Sequence, residues 1–335
     1  MISLKSKKFS IIQIILFSAV FSLITCGSVY FWLKKKNEEA LISSSAKYCD
    51  YSVKRIEGLK YVRPILWVDE ACESDNLSGI KQKINQIIEK YKQSNGVTNA
   101  SVYLRSGGQW TVVNPNEKYE PGSLFKVPVL ITILKMDEDN PGFLNKVITY
   151  DTLVKVDKNL NYPSKTITLG NSYTIKELLS YMIKYSDNAA TVLLERNMKN
   201  ETLQKLFSDI GVEVPNAYSS QYYFTAKDFS LFMRSIINAG YLTINNSEFA
   251  AELLGQSDFK DGIVKGIPAN TKIAHKFGES GNQTEKQLHE SAIVYIGKKG
   301  YLITVMTKGK DIKTLSNLIG DISRTVYNDV SNSSK

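Results

Sequence analysis

The sequence predicts an α+β protein: a five-stranded antiparallel sheet flanked by helices, with an all-helical region inserted, behind a single N-terminal transmembrane helix. Three observations predict it. Period-two alternation marks two strands over 97–113 and three more over 270–309, near opposite ends of the chain. Helical patterning fills the interval from about 123 to 238. Residues Phe9 to Leu33 carry no charge, a run long enough to cross a bilayer.

That run sits between Lys5, Lys7 and Lys8 on one side and Lys34, Lys35 and Lys36 on the other. A cleaved signal peptide has a shorter apolar stretch ending at a small-residue cleavage site, whereas this run is long enough to cross a bilayer, so an uncleaved anchor is favoured over a removed signal. The expected organisation is a short cytoplasmic N-terminus (1–8), an anchor (9–33), a polar stalk and lead-in (34–76), a catalytic domain (77–328) and a disordered tail (329–335). Lysines on both flanks leave the positive-inside rule nearly balanced, so orientation follows from what the domain does.

The net charge of +9 suggests nucleic acid only until it is divided. Residues 1–36 hold six lysines and no acid, which leaves +3 for the rest of the chain. No Lys/Arg cluster with interleaved aromatics appears, so nucleic acid is excluded as a partner. Cys49 and Cys72 lie close together beyond the apolar run; a disulfide and two unrelated thiols both remain open. With His275 and His289 they give no zinc-site spacing, and neither metal nor cofactor is implied.

Within the domain, Leu77, Ile80, Ile84, Ile87, Ile88 and Tyr91 follow helical spacing. "VTNASVYLRSGGQWTVV" alternates as two strands around Ser106-Gly-Gly-Gln109, a hairpin signal. A helix opens at Ser123, an extended stretch runs to Leu169, and Thr174-Ile-Lys-Glu177 is a capping box for a helix to about Tyr185. Further helices are expected near 187–197, 200–209 and 225–238. Strands follow in "NTKIAHKFGES", "HESAIVYIG" and "YLITVMTKG", the last two joined through Lys298-Lys299-Gly300. A final amphipathic helix uses Leu315, Leu318, Ile319, Ile322 and Val326.

The helix opening at Ser123 poses a chemical question. It buries Val127, Leu130, Ile133 and Leu134, yet places Lys126 one turn from a serine. Burial and the positive end of a helix both disfavour an ammonium, so Lys126 can lose its proton near neutrality and take one from Ser123. Alone, Ser-x-x-Lys is equally an ordinary helix start with a snorkelling lysine. Its company decides: Ser186-Asp187-Asn188 follows at a junction of two helices, and Lys276 and Gly278 follow on a strand.

These three elements, in this order, resemble the signature of the penicillin-recognising serine enzymes, the superfamily of class A β-lactamases and D-alanyl-D-alanine peptidases. The resemblance covers roughly Leu77 to Asn328 and includes "TAKDFSLFMRSI", "HESAIVYIG" and "YLITVMTKG". It implies that Ser123 is the acylated nucleophile and Lys126 its base. Ser186 relays a proton to the leaving nitrogen, Asn188 holds the substrate amide, and Lys276 supplies positive charge. Gly278 and Glu279 complete the strand beside the nucleophile, with the backbone N–H groups of Ser123 and Glu279 as the oxyanion donors. Asp187 is read as a helix cap, and His275 as packed on the opposite face of its strand.

Two departures qualify the resemblance. Phe277 stands where relatives have threonine or serine, so a hydroxyl that meets the substrate carboxylate is missing, or is replaced by Ser280. The connection "GVEVPNAYSSQYYFTAKDF" contains only Glu213, read as a solvated residue, so the glutamate that activates the deacylating water is not found. The expectation is therefore a membrane-anchored extracytoplasmic serine hydrolase that forms an acyl-enzyme with a β-lactam or a peptidoglycan stem peptide, with slow β-lactam hydrolysis. The alternatives are a D-alanyl-D-alanine peptidase or transpeptidase, and a non-catalytic cell-wall-binding domain.

Overall fold

The computed structural model describes residues 11–44, 49–59, 61, 64–94, 96–155, 161–162, 165–214, 222–297 and 299–332. It divides into two compact units, Met1–Asp50 and Tyr51–Lys335. The described part of the first is helix α1 (Ile11–Ser44). It mixes apolar residues with Ser18, Ser22, Thr25 and Ser28 and continues through Lys34, Lys35 and Lys36. Among the described residues, no helix is long and apolar enough to cross a membrane. That finding overturns the transmembrane anchor expected over 9–33; residues 1–8 lie outside the described residues.

The second unit begins earlier than expected. Within the segment read as stalk and lead-in lies a hairpin of β1 (Tyr51–Arg55) and β2 (Ile65–Glu70). Leu66 and Trp67 on β2 are buried in the main core. Asp69 ties the hairpin down through Arg105 at 2.9 Å and Arg234 at 2.6 Å. The short apolar patch Ile65-Leu66-Trp67-Val68 in an otherwise polar segment is what packs the lead-in on the domain, through Leu66 and Trp67.

Helix α2 (Ser78–Gln93) leads into β3 (Val97–Ser106) and β4 (Gln109–Val113), then α3 (Lys126–Asp139). A small hairpin, β5 (Val147–Thr149) with β6 (Ser172–Thr174), occupies part of the stretch read as extended. The helical region comprises α4 (Ile175–Lys184), α5 (Asn188–Asn197), α6 (Asn200–Ile210), α7 (Ala226–Ile237) and α8 (Ile244–Gly255). Thr174 and Thr225 each form a complete capping box, satisfying N–H groups that a helix start leaves unpaired. Helix α8 had escaped the sequence reading: its start, capped by Thr243, is followed by Asn-Asn-Ser rather than an apolar stripe.

Strands β7 (Ile273–Gly281), β8 (Lys286–Ile296) and β9 (Lys299–Gly309) complete the sheet, in the order β4-β3-β9-β8-β7, every pair antiparallel. The five-stranded sheet from both chain ends is thus as expected. Side-chain alternation divides two cores: on β9, Leu302 and Met306 join α3, α4 and α7, while Tyr301, Ile303 and Val305 face α2 and α9 (Ile312–Asn332). The β8–β9 turn falls earlier than Lys298-Lys299-Gly300: β9 already begins at Lys299, and Gly297 takes φ 57°. Helix α9 runs through to Asn332, so the tail read over 329–335 begins as helix; 333–335 lie outside the described residues.

Candidate active site

Two backbone contacts build the site before any side chain acts. The chain enters α3 through a tight turn, Gly122–Phe125, which lies against β7. Gly122 has φ +51°, and a Cβ there would meet the carbonyl oxygen of Glu279 at 2.2 Å. A Cβ on Gly278 would meet the carbonyl of Pro121 at 2.3 Å. Only glycine allows two main chains to come this close, and this closeness sets Ser123 beside β7.

Helix α3 then presents Lys126 to the interior. It is 4% exposed, and its Nζ lies 3.0 Å from Ser123 Oγ. Nζ is also 2.5 Å from the carbonyl of Ser186, 3.1 Å from Ser186 Oγ and 2.6 Å from Asn188 Oδ1. A neutral amine has two N–H donors and one lone pair. The Ser186 carbonyl and Asn188 Oδ1 can only accept, so they engage the two donors and leave the lone pair for a serine O–H. Burial brings the Lys126 pKa down from 10.5 to about 7, and the charges of Asp187, Glu195 and Glu279 oppose that shift.

Ser186 reaches Lys126 because its backbone is held at φ 54°, an uncommon conformation for a serine, at the junction of α4 and α5. Its hydroxyl is 2.9 Å from Lys276 Nζ as well. Lys276 is fully buried and also donates to the carbonyl of Phe277 at 3.1 Å. Burial first, and the neighbouring charge of Lys126 second, push its pKa down. Ser123, Lys126, Ser186, Asn188 and Lys276, drawn from three distant segments, therefore form one connected network.

Asp187 caps α5, accepting from the Ala189 N–H at 2.9 Å. It also accepts from Thr166 Oγ1 at 2.9 Å and the Ile167 N–H at 2.8 Å, so the cap fastens the segment over the site. His275 is buried as expected, paired through Nδ1 with Glu290 Oε1 at 2.7 Å. Glu290 in turn accepts from the Ile263 N–H at 2.6 Å. Neither touches the reacting groups.

His289, which had no partner legible in the sequence, has two. Its Nε2 bonds the carbonyl of Glu120 at 2.9 Å and its Nδ1 accepts from the Thr307 N–H at 3.1 Å. Burial lowers its pKa to about 3, so it is a neutral brace for the strand leading into Ser123. Glu120 was also missed. It accepts the Ser280 hydroxyl at 2.5 Å, which removes Ser280 as a free replacement for the absent hydroxyl. Phe277 stacks on Phe259 at 4.1 Å with Tyr162 edge-on at 5.7 Å. Glu213 is 83% exposed and pairs with Lys118 at 3.2 Å, as a solvated residue does.

A cleft of about 130 Å³ opens at Ser123, walled by Tyr162, Lys165, Ser186, Asn188, Phe277 and Glu279. A larger cavity of about 920 Å³, between α8 and the start of β7, contains none of the network. The smaller one is the candidate active site: it is lined by Ser123, Ser186 and Asn188, to which the buried Lys126 and Lys276 are hydrogen-bonded. Among the described residues, no cluster of three histidine, cysteine or acidic side chains could hold a metal ion.

Residues 79–330 match the Beta-lactamase enzyme family. The chain belongs to this family. Its relatives include the β-lactamase VEB-1 of Pseudomonas aeruginosa, 22% identical over 77% of this chain and 91% of that protein. A β-lactamase of Bacillus licheniformis is 24% identical over 73% of this chain and 80% of its own length. Among solved structures, PBP-A superposes with a TM-score of 0.64 at 20% identity, over 76% of this chain and 97% of that one. A β-lactamase from Chitinophaga pinensis gives 0.65 at 19% identity, over 75% and 99%. These likenesses establish the serine β-lactamase-like α+β fold for the family member described here.

Proposed function

We propose that the protein is an extracytoplasmic serine hydrolase that forms an ester on Ser123 with a β-lactam or with a D-alanyl cell-wall peptide. The observation that carries this reading is the 3.0 Å approach of the buried Lys126 Nζ to Ser123 Oγ. Ser123 Oγ attacks the acyl carbon and its proton passes to Lys126 Nζ. The oxygen of the tetrahedral intermediate lies between the N–H groups of Ser123 and Glu279. As the C–N bond breaks, the leaving nitrogen takes a proton from Ser186 Oγ, which is replenished from Lys126. Asn188 and Lys276 position these groups throughout. β-Lactamase names among the relatives support the β-lactam as one donor.

A second reading concerns the next half-reaction. Glu213 points to solvent, and 214–224 contains no other acid, so no glutamate of that connection serves a deacylating water. This favours a persistent acyl-enzyme of the penicillin-binding, D-alanyl peptidase type. One solved relative of similar fold is a PBP-A variant in an acyl-enzyme complex with penicillin G.

Intact mass of the full chain, followed over time with benzylpenicillin beside Ser123→Ala, tests both. An adduct that needs Ser123 and persists supports the second reading; one that forms and clears with hydrolysed drug supports a β-lactamase. No adduct on folded protein overturns the enzyme reading in favour of a binding domain. Cys49 and Cys72 are both disulfide-bonded, which supports an oxidising, extracytoplasmic location. Thiol alkylation of the protein taken directly from cells tests that: modification of Cys49 and Cys72 would count against it.

A further inference from the structure

We propose that Lys165 receives the carboxylate of the acyl donor, in place of the hydroxyl that Phe277 lacks, so that the donor lies with its anion toward the Tyr185–Ser186 wall of the cleft. The proposal rests on the acyl-enzyme reading above and names the side chain of this protein that such a donor meets.

The β7 side of the cleft has little to offer an anion. Lys276 is fully buried and turned to the Ser186 hydroxyl at 2.9 Å and the Phe277 carbonyl at 3.1 Å. Phe277 has no polar donor in its side chain, and its ring stacks on Phe259. The Ser280 hydroxyl donates to Glu120 at 2.5 Å. Glu279 accepts from the Asn161 Nδ2 at 2.9 Å and the Asn161 N–H at 3.2 Å, which occupies its oxygens without presenting a donor. A carboxylate that enters this cleft therefore finds its direct partner on another wall.

Among the described residues, Lys165 is the one basic side chain that lines the cleft, and it forms no ion pair that a ligand would have to break. Its Nζ stands 5.5 Å over the ring of Tyr185, and Tyr185 immediately precedes Ser186. The ring face thus holds the ammonium on the side where Ser186 delivers a proton to the leaving nitrogen. That is where the anion belongs, because in a penicillin and in a D-alanyl peptide alike a single carbon separates the leaving nitrogen from the carboxylate. The backbone that carries Lys165 is fastened as well: Asp187 accepts from Thr166 Oγ1 at 2.9 Å and from the Ile167 N–H at 2.8 Å. Those bonds also turn the Asp187 carboxylate to donors of its own. A long stem on a fixed backbone brings a compact charge to the carboxylate, and the resulting charge-assisted hydrogen bond is stronger than one from a neutral hydroxyl.

The test compares benzylpenicillin, which carries the carboxylate, with its neutral methyl ester. Second-order acylation of Ser123 in the full chain is read by intact mass, and the quantity followed is the anion-to-ester ratio of rates. In Lys165→Gln that ratio should fall by roughly tenfold, the effect of removing one partly screened charge, with the ester rate itself within about twofold of wild type. Lys165→Arg should keep the ratio because it keeps the charge. Lys118→Gln, an equal charge change at the exposed pair with Glu213, should leave it unaltered. Raising ionic strength needs no variant: it should shrink the wild-type ratio and have no such effect in Lys165→Gln. A ratio indifferent to Lys165→Gln, whether both probes keep their rates or slow together, overturns the proposal and leaves the acyl-enzyme reading intact. Failure of both probes to label Ser123 on folded protein overturns that reading itself, and the inference with it.

Discussion

Lys126 and Lys276, on elements 150 residues apart in sequence, both lie within hydrogen-bonding distance of the Ser186 hydroxyl, at 3.1 and 2.9 Å. Two ammonium groups around one buried hydroxyl repel each other and are poorly solvated, so the arrangement favours at least one neutral amine. That is the state a serine nucleophile needs.

Acylation of Ser123 should therefore follow the titration of Lys126. Its pKa near 7 means the base form is scarce below pH 6 and nearly complete above pH 8. The acylation rate should rise through about 7 and then level, and Lys126→Met should lower it by roughly 10²–10⁴-fold while removing that inflection. Rates unchanged by the substitution would assign the base elsewhere.

The same shift has a consequence for stability. The folded pKa lies below the unfolded value near 10.5, so between about 7 and 10.5 the unfolded chain binds more protons and stability rises with pH. Below 7 the full cost of burying the charge is present. Lys126→Met should thus gain most in melting temperature over wild type below pH 7, with the gain shrinking as pH rises, measured by calorimetry across pH 5–9.

Asp187→Ala should cost about 1–3 kcal/mol, because it orphans the α5 N-terminus and the N–H of Ile167 together. Denaturant unfolding would report this, and acylation should fall as well, since Thr166 and Ile167 lose their anchor beside the cleft. A loss of stability alone would confine Asp187 to the fold.

Gly278→Ala should fold but acylate Ser123 poorly. Its added methyl would stand 2.3 Å from the Pro121 carbonyl, so β7 and the Ser123 turn must separate. Circular dichroism together with penicillin labelling checks this; normal labelling would show that the close approach is not needed.

Glu290→Ala leaves His275 buried without its partner and the Ile263 N–H unsatisfied. A loss of about 3–5 kcal/mol is expected, with Ser123 chemistry retained in whatever protein remains folded. Loss of labelling in folded protein would mean that the pair does more than brace.

The sequence by itself determined the repeating features: strand alternation at both chain ends, capping boxes at Thr174 and Thr225, and three motif segments in a recognisable order. It also identified Asp187 as a cap and Glu213 as solvated, because such roles depend on neighbours a few residues away. Only the tertiary structure could decide the rest. Whether Ser280 is free depends on Glu120, 160 residues distant, and the partner that holds Glu279 is Asn161, 118 residues away. The partners of His289 and the burial of Trp67 likewise come from contacts across the fold. Local periodicity reports which face of an element is apolar; it carries no information about which distant polar group arrives at that face, and here that arrival sets the charge of the site.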